Sequence, residues 1–385
     1  MVISILVVLV LLNVLILVHE FGHFIFAKWS KAHVQEFSIG IGPKIFRFKL
    51  LNTPSFIRVF PIGGYVSLVG EVEDEGPGSF IRLSAFRQLL IVLGGVIFNA
   101  IFAYFVFLTL MIIRPKLYFP DIGLSPHFAS VTKTPPLLII TKIQNNSDLK
   151  RYLKDSSLPV VLWKINDKKI NSFNSLKTIL KHHRAGDMVS LTYCLLNGNT
   201  PDQVIAYCNT NLRTIHVKLL QNSKLGVIVT ELSASYWNYV RFFVALRPVL
   251  FFYDIGNISL LFLKNTINSA MMKHDYQLLE YTVGGPVSVI PVVSNILSSK
   301  GDTMYQLFFL LGLFSINLAF INILPFPGLD GWHVVLVFIR KLISNVNINK
   351  FLKFLTTIGL LILFILAIII TIKDINLVFF TNYGK

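Results

Sequence analysis

His19, Glu20 and His23 form an H-E-x-x-H run inside the stretch VLILVHEFGHFIFAKW. On an α-helix, residues four apart stack on one face, about 6 Å apart along the axis. Two imidazoles so placed can grip one zinc, while Glu20, beside the first ligand, can reach a water there as general base. The bland alternative is a pair of polar residues lining a helix–helix contact. It weakens in this setting, because ionisable groups at bilayer depth are costly and mark functional sites. With Lys28 at the cytoplasmic interface, a rise of about 1.5 Å per residue puts His23 roughly 7 Å and His19 roughly 13 Å inside the membrane.

A catalytic zinc needs a third protein ligand. Glu71, Glu73 and Glu75 qualify by residue type but belong to an acidic loop on the cytoplasmic side. The better candidate is Asp330, in NLAFINILPFPGLDGWH, which is the only acid between Asp302 and Asp374. Pro325 and Pro327 prevent regular helix just before it, and irregular backbone at membrane depth is tolerated where it lines a site or is buried in protein. The competing role for Asp330 is an N-cap of the helix that follows.

The elements that must position these groups follow from composition. Hydrophobic residues make up 54% of the chain and charged residues 14%, too apolar for an ordinary soluble protein. Four uncharged stretches are long enough to cross a bilayer: Met1–Val18 continuing to Ala27, Gln88–Ile113, Thr303–Leu329 and Phe354–Ile372. The first lacks a basic start and a small-residue cleavage site, so it reads as a retained helix and not a secretory signal. The net charge of +16 fits basic loops flanking a lipid bilayer, and nothing in the pattern calls for nucleic acid. Lys28, Lys31, Lys44, Arg47 and their neighbours before the second span, and Arg340, Lys341, Lys350 and Lys353 after the third, place those two loops in the cytoplasm. Both termini and the long segment from Arg114 to Asp302 then face outward.

The expected fold class is a polytopic α-helical membrane protein of about four transmembrane helices, with a membrane-associated β-hairpin or sheet and one extracytoplasmic α+β domain. Residues 1–29 form the first span with HEFGH, and 30–85 a cytoplasmic-side hairpin and membrane-associated loop. Within it, KIFRFKL and FIRVF flank LNTPS, and the apolar, Gly-rich PIGGYVSLVG reads as a strand lying against something. Residues 86–113 form the second span. Residues 118–230 read as strand, Asn-Asp turn, strand, helix, turn and strand, a length that suits one small domain. Residues 234–300 carry an amphipathic membrane-associated helix and loop; the charges in 236–272 favour an interfacial helix over a fifth span. Residues 303–339 hold the third span with NILPFPGLDG, and 354–373 the fourth. Cys194 and Cys208 both lie in the outward domain, where a disulfide and two reduced thiols are equally open. Asn99, inside an apolar span, reads as an interhelical hydrogen-bonding residue.

Taken together, the sequence resembles the site-2 protease family of intramembrane zinc metalloproteases, in its bacterial RseP-type branch that regulates sigma factors. HEFGH matches the family's HExxH, and NILPFPGLDG its N-x-x-P-x-P-x-L-D-G motif. FSIGIGPKIF, FPIGGYV, RQLLIVLGGVIFNAIFAYFVF and GGPVSV are similar to further family segments, so the resemblance covers nearly the whole chain. It implies that His19, His23 and Asp330 bind Zn2+, that Glu20 is the general base, and that Asn322, with Pro325 and Pro327 in its loop, holds the substrate backbone. A strand through Gly63 and Gly64 would receive an unwound substrate segment by β-augmentation. The outward domain would be PDZ-like, although the best-known members carry two such domains and this length leaves room for one. LDGWH replaces the common LDGGH, and His333, one turn beyond Asp330, is expected behind the ligands and not among them.

The implied function is hydrolysis of a peptide bond within the transmembrane segment of single-span proteins, such as anti-sigma factors or remnant signal peptides. An upstream site-1 type protease would first trim their ectodomains, and the location would be the bacterial cytoplasmic (inner) membrane. A catalytically silent scaffold presenting its outward domain would not need Glu20 or Asp330. A transporter with a broken helix would show internal symmetry, and none is evident.

Overall fold

The computed structural model describes residues 2–70, 76–114, 116–120, 126–134, 136–153, 158–196, 201–220, 224–232, 234–273, 284–298, 302–342 and 346–380. Glu71, Glu73 and Glu75 lie outside them. In chain order the elements are α1 (Val2–Trp29), β1 (Val34–Leu50), β2 (Thr53–Leu68), α2 (Ala85–Val92), α3 (Gly94–Ile113), β3 (Lys116–Pro120), β4 (Ser130–Lys133), β5 (Leu137–Ile143), β6 (Val160–Ile165) and β7 (Lys168–Lys169). They continue with α4 (Phe173–Lys181), β8 (Met188–Leu195), α5 (Pro201–Thr210), β9 (Arg213–Lys218), β10 (Val227–Leu232), β11 (Ala234–Asn238) and α6 (Arg247–Lys273). The last are α7 (Val289–Ser298), α8 (Thr303–Asn322), α9 (Asp330–Leu342) and α10 (Val346–Ile375). The chain divides into two compact units, Met1–Leu110 with Ser259–Ser298 and Met304–Lys385, and Met111–Ile258 with Ser299–Thr303.

In the first unit, α1 is a 28-residue apolar helix whose early side chains Val2, Ile3, Leu6 and Val10 are exposed. Lys31 closes it in a left-handed conformation (φ 60°), and Ala32 N–H donates back to the Ala27 carbonyl, which satisfies the helix end. The second half of α1 packs differently. Phe24 and Ala27 join Val34 and Phe37 of β1 and Ile91 and Val92 of α2 in one buried cluster. Burying a side chain such as Phe24 or Phe37 in full is worth about 1.5–3 kcal/mol, so this cluster locks the histidine-bearing half of α1 to the hairpin and to α2.

The two hairpin strands meet at Leu51-Asn52, both with positive φ, a tight turn in place of the longer LNTPS link. PIGGYVSL is the continuation of β2 and not a separate strand. Across the hairpin, Glu36 accepts hydrogen bonds from Lys44, from the Tyr65 hydroxyl at 2.6 Å and from Arg58, whose guanidinium also donates to the Gly42 carbonyl. Partial burial alone would raise the Glu36 pKa, but the bonds from Lys44, Tyr65 and Arg58 outweigh it and hold the carboxyl down at about 2. A depressed folded-state value stabilises the fold fully above the ordinary carboxylate range, and that contribution is lost as pH falls through about 2. In a carboxyl NMR titration Glu36 is expected to stay ionised at about pH 3, and to titrate closer to about 4.3 in Arg58→Ala; an ordinary wild-type value would refute the network.

The second unit carries an antiparallel sheet of order β10-β5-β6-β8-β9, with β7 paired to β6. Alternation along the strands sends Leu138, Ile140, Leu162 and Leu191 to a core with Leu176 of α4, and Leu137, Val161, Trp163 and Cys194 to a second with Val204 and Cys208 of α5. The bridge Cys194–Cys208 joins β8 to α5. A second sheet, β3-β11-β4, runs past both ends of the 118–230 segment. Asp254 of α6 is fully buried and accepts from the backbone N–H groups of His127, Phe128 and Ala129 and from the Tyr239 hydroxyl. This charge therefore marks no water-facing side of the helix.

Among the described residues, five helices are long and apolar enough to cross a membrane: Val2–Trp29, Gly94–Ile113, Val244–Ser269, Thr303–Asn322 and Phe351–Val378. The third adds a candidate to the four expected from sequence. Several apolar helices of spanning length together with sheets describe a polytopic membrane protein.

Candidate metal centre

Every candidate site residue belongs to the first unit. His19 and His23 share one face of α1, and their Nε2 atoms lie 3.3 Å apart. The Asp330 carboxylate opens α9 beside them, with Oδ2 3.1 Å from His19 Nε2 and 3.5 Å from His23 Nε2. Donors about 2.0–2.1 Å from a tetrahedral zinc lie about 3.3–3.4 Å from one another. The three atoms thus trace one face of such a tetrahedron, leaving its fourth corner for water or substrate. Asp330 Oδ2 is buried and accepts no well-formed hydrogen bond, although two imidazole nitrogens stand beside it. A carboxylate oxygen set between two ring nitrogens is the arrangement a cation completes. Among the described residues this is the one His/Cys/Asp/Glu group able to hold a metal.

Chain geometry explains how the acid arrives there. Helix α8 stops at Asn322, and residues 323–329 make a turn that Pro325 and Pro327 keep from being helical. Gly331 lies against the Ile323 and Leu324 carbonyls, so a side chain there would collide with the turn. Pro327 in turn rests on Gly359 of α10, and the Trp332 indole N–H donates to Thr356 Oγ1 at 2.7 Å. The turn is braced from both sides, which holds Asp330 in position.

Glu20 lies next to His19 in the chain, and its side chain runs against Gly64 of β2, where a Cβ would come within 3.3 Å of Glu20 Cγ. Gly63 has φ +90°, and a Cβ there would meet Ile41 Cγ2 at an ordinary 3.8 Å. Asn322 Nδ2 stands 3.4 Å from His19 Nε2, and Pro325 is exposed on the turn. His333 is exposed and hydrogen-bonds none of the three among the described residues.

Of the two groups that hold the ligand rings, the sequence pointed to Asn99 as an interhelical hydrogen-bonding residue without its partner, and did not point to Ile91. The Ile91 carbonyl, in the last turn of α2, lies 2.8 Å from His23 Nδ1. Asn99 of α3 stands 3.2 Å from His19 Nδ1. Helices α1 and α3 cross where Gly22 meets Gly94, and this contact sets Gly95 against both rings. The pair of glycines in LGGV was the available signal, since small residues mark close helix crossings in membranes.

Residues 7–366 match the model of Peptidase family M50. A protein of Clostridium perfringens described as "Putative zinc metalloprotease" is 28% identical over 373 residues, covering 94% of this chain and 96% of that protein. One of Nostoc sp. with the same description is 28% identical over 381 residues, covering 96% and 95%. A Thermotoga maritima protein, again so described, is 42% identical over 106 residues, covering 26% of this chain and 21% of its own. A family match across almost the whole chain, over a metal-shaped cluster on an apolar helix, leads to one conclusion: the chain belongs to peptidase family M50, the site-2 proteases, and is a zinc metalloprotease.

Proposed function

We propose that this protease hydrolyses a peptide bond inside the transmembrane segment of single-span membrane proteins, such as anti-sigma factors or remnant signal peptides, once their ectodomains have been trimmed by a site-1 type protease. The observation that carries this reading is the His19, His23 and Asp330 cluster placed on spanning-length apolar helices. His19, His23 and Asp330 hold the zinc. Zinc held there would supply a water of pKa lowered toward about 7 and would polarise the scissile carbonyl. Glu20 would act as general base, taking a proton from the attacking water and returning it to the leaving amine, while its packing against Gly64 orients the carboxylate.

A transmembrane helix satisfies its own carbonyls, so it must unwind before it can be cut. The β1–β2 hairpin is two-stranded among the described residues, and β2 passes Glu20 at Gly64. Its free edge near Gly63 and Gly64 receives the unwound segment as an added strand. Asn322, Pro325 and Pro327 face the other side of that segment and hold its backbone.

The protein resides in the bacterial cytoplasmic membrane, with both termini and the PDZ-like 118–230 segment outside. That segment filters substrates by the bulk of their outer domains. Replacing residues 118–230 by a short flexible link is expected to keep zinc and cleavage of trimmed substrates while admitting some untrimmed ones. Topology has its own check. The chain's two cysteines are bridged to each other, so single cysteines at Lys31 and Lys385 report alone; in sealed vesicles they are expected to label from opposite faces, and labelling from one face would sink the assignment. The function itself is tested by co-expressing the protein with trimmed single-span candidates, beside Glu20→Gln. Cleavage within the span by the wild type alone supports the proposal, and cleavage only outside the span overturns it.

A further inference from the structure

We propose that Asn99 is a positioning residue for the metal centre, its amide oxygen fixing the His19 ring with Nε2 turned to the metal. The inference rests on His19 as a ligand through Nε2. A neutral imidazole carries one proton, so a ring that offers Nε2 to a metal bears its proton on Nδ1 and needs an acceptor there. His23 has one, because the Ile91 carbonyl lies 2.8 Å from its Nδ1. His19 Nδ1 faces Asn99, whose Nδ2 is 3.2 Å away. In that pose two donors oppose each other, and Asn99 Oδ1 is left buried without a partner.

A half-turn of the planar amide exchanges oxygen for nitrogen at the same place and resolves the mismatch. His19 Nδ1–H then donates to Oδ1, and Nε2 keeps its lone pair for the metal. The opposite pairing, with Asn99 donating, would leave the proton on Nε2 and block ligation. Among the described residues, Asn99 is the one side chain set at His19 Nδ1. Asn99 is fully buried, its own carbonyl accepts from Ser315 Oγ of α8 at 2.8 Å, and Gly95 one turn earlier lies against both rings. The backbone is therefore held to α8, while the side chain is aimed at His19 of α1.

The test measures metal binding by the full-length protein in detergent. Zinc affinity by chelator competition and the absorption bands of the cobalt-loaded protein are compared for wild type, Asn99→Leu, Asn99→Asp and His19→Ala. Asn99→Leu is expected to weaken zinc binding about 10–100-fold and to shift the cobalt bands. Asn99→Asp keeps an acceptor opposite Nδ1–H and is expected to bind within a few-fold of wild type. Should Asn99→Leu fail to fold, Asn99→Ala carries the same expectation. Wild-type affinity with unchanged bands in the variant lacking an acceptor overturns the inference, as does equal loss in Asn99→Asp. Zinc retained by His19→Ala overturns the ligand reading instead.

Discussion

Asp330→Asn is expected to lose zinc and proteolysis together, whereas Glu20→Gln keeps the metal and loses turnover alone. The contrast follows from where the two carboxylates stand. Asp330 Oδ2 is buried between two imidazole nitrogens at 3.1 and 3.5 Å. An amide there removes the negative charge that balances a divalent ion and can present a donor in its place. His19→Ala and His23→Ala remove corners of the same triangle and share the expectation. Glu20 touches the hairpin at Gly64 and lies outside the ligand group, so its amide analogue leaves the triangle intact. A general base contributes about 10²–10⁴-fold, and turnover is expected to fall by that factor. Metal analysis gives about one zinc per chain in wild type and Glu20→Gln; full occupancy in Asp330→Asn would remove it from the ligand set.

The parts of this centre that were legible in sequence are those with a chemical signature. The four-residue spacing of His19 and His23 fixes a shared helix face, and a lone acid after two prolines in an apolar stretch is conspicuous. The parts that were not legible depend on partners distant in the chain. Asn99 sits in an apolar run, where a hydrogen bond between helices is the natural reading; that it meets His19 depends on the crossing of α1 and α3. The Ile91 carbonyl is backbone and carries no residue signature. The burial of Asp254 was not legible either, because its donors lie on residues more than a hundred positions earlier and on Tyr239. For Cys194 and Cys208 the deciding fact was α5 packing on the sheet beside β8.

That dependence on a helix crossing makes Gly95→Ala the second large expected effect. A Cβ at this position would come 2.5 Å from His19 Cε1, 2.6 Å from His19 Nδ1 and 2.6 Å from His23 Nε2. Contacts this short require movement, and overpacking typically costs about 1–3 kcal/mol. The backbone has little room to yield, since Gly94 packs so closely on α1 that a Cβ there would fall within 3 Å of Gly22 backbone atoms. The rings must shift instead, and both Nδ1 atoms are held from behind, by Ile91 and by Asn99. A displacement of even half an ångström spoils a ligand triangle whose sides are 3.1 to 3.5 Å. Gly95→Ala is therefore expected to weaken zinc binding by at least about tenfold and to lower activity in parallel. Gly64→Ala supplies the contrast, because its Cβ would meet the Ser38 carbonyl at 2.8 Å and Glu20 Cγ at 3.3 Å, with no ligand atom nearby. It should retain zinc while turnover falls, as Glu20 is pushed from its approach. Measured side by side, zinc content and turnover separate the two; wild-type zinc affinity in a folded Gly95→Ala protein would show that the crossing does not constrain the ligands.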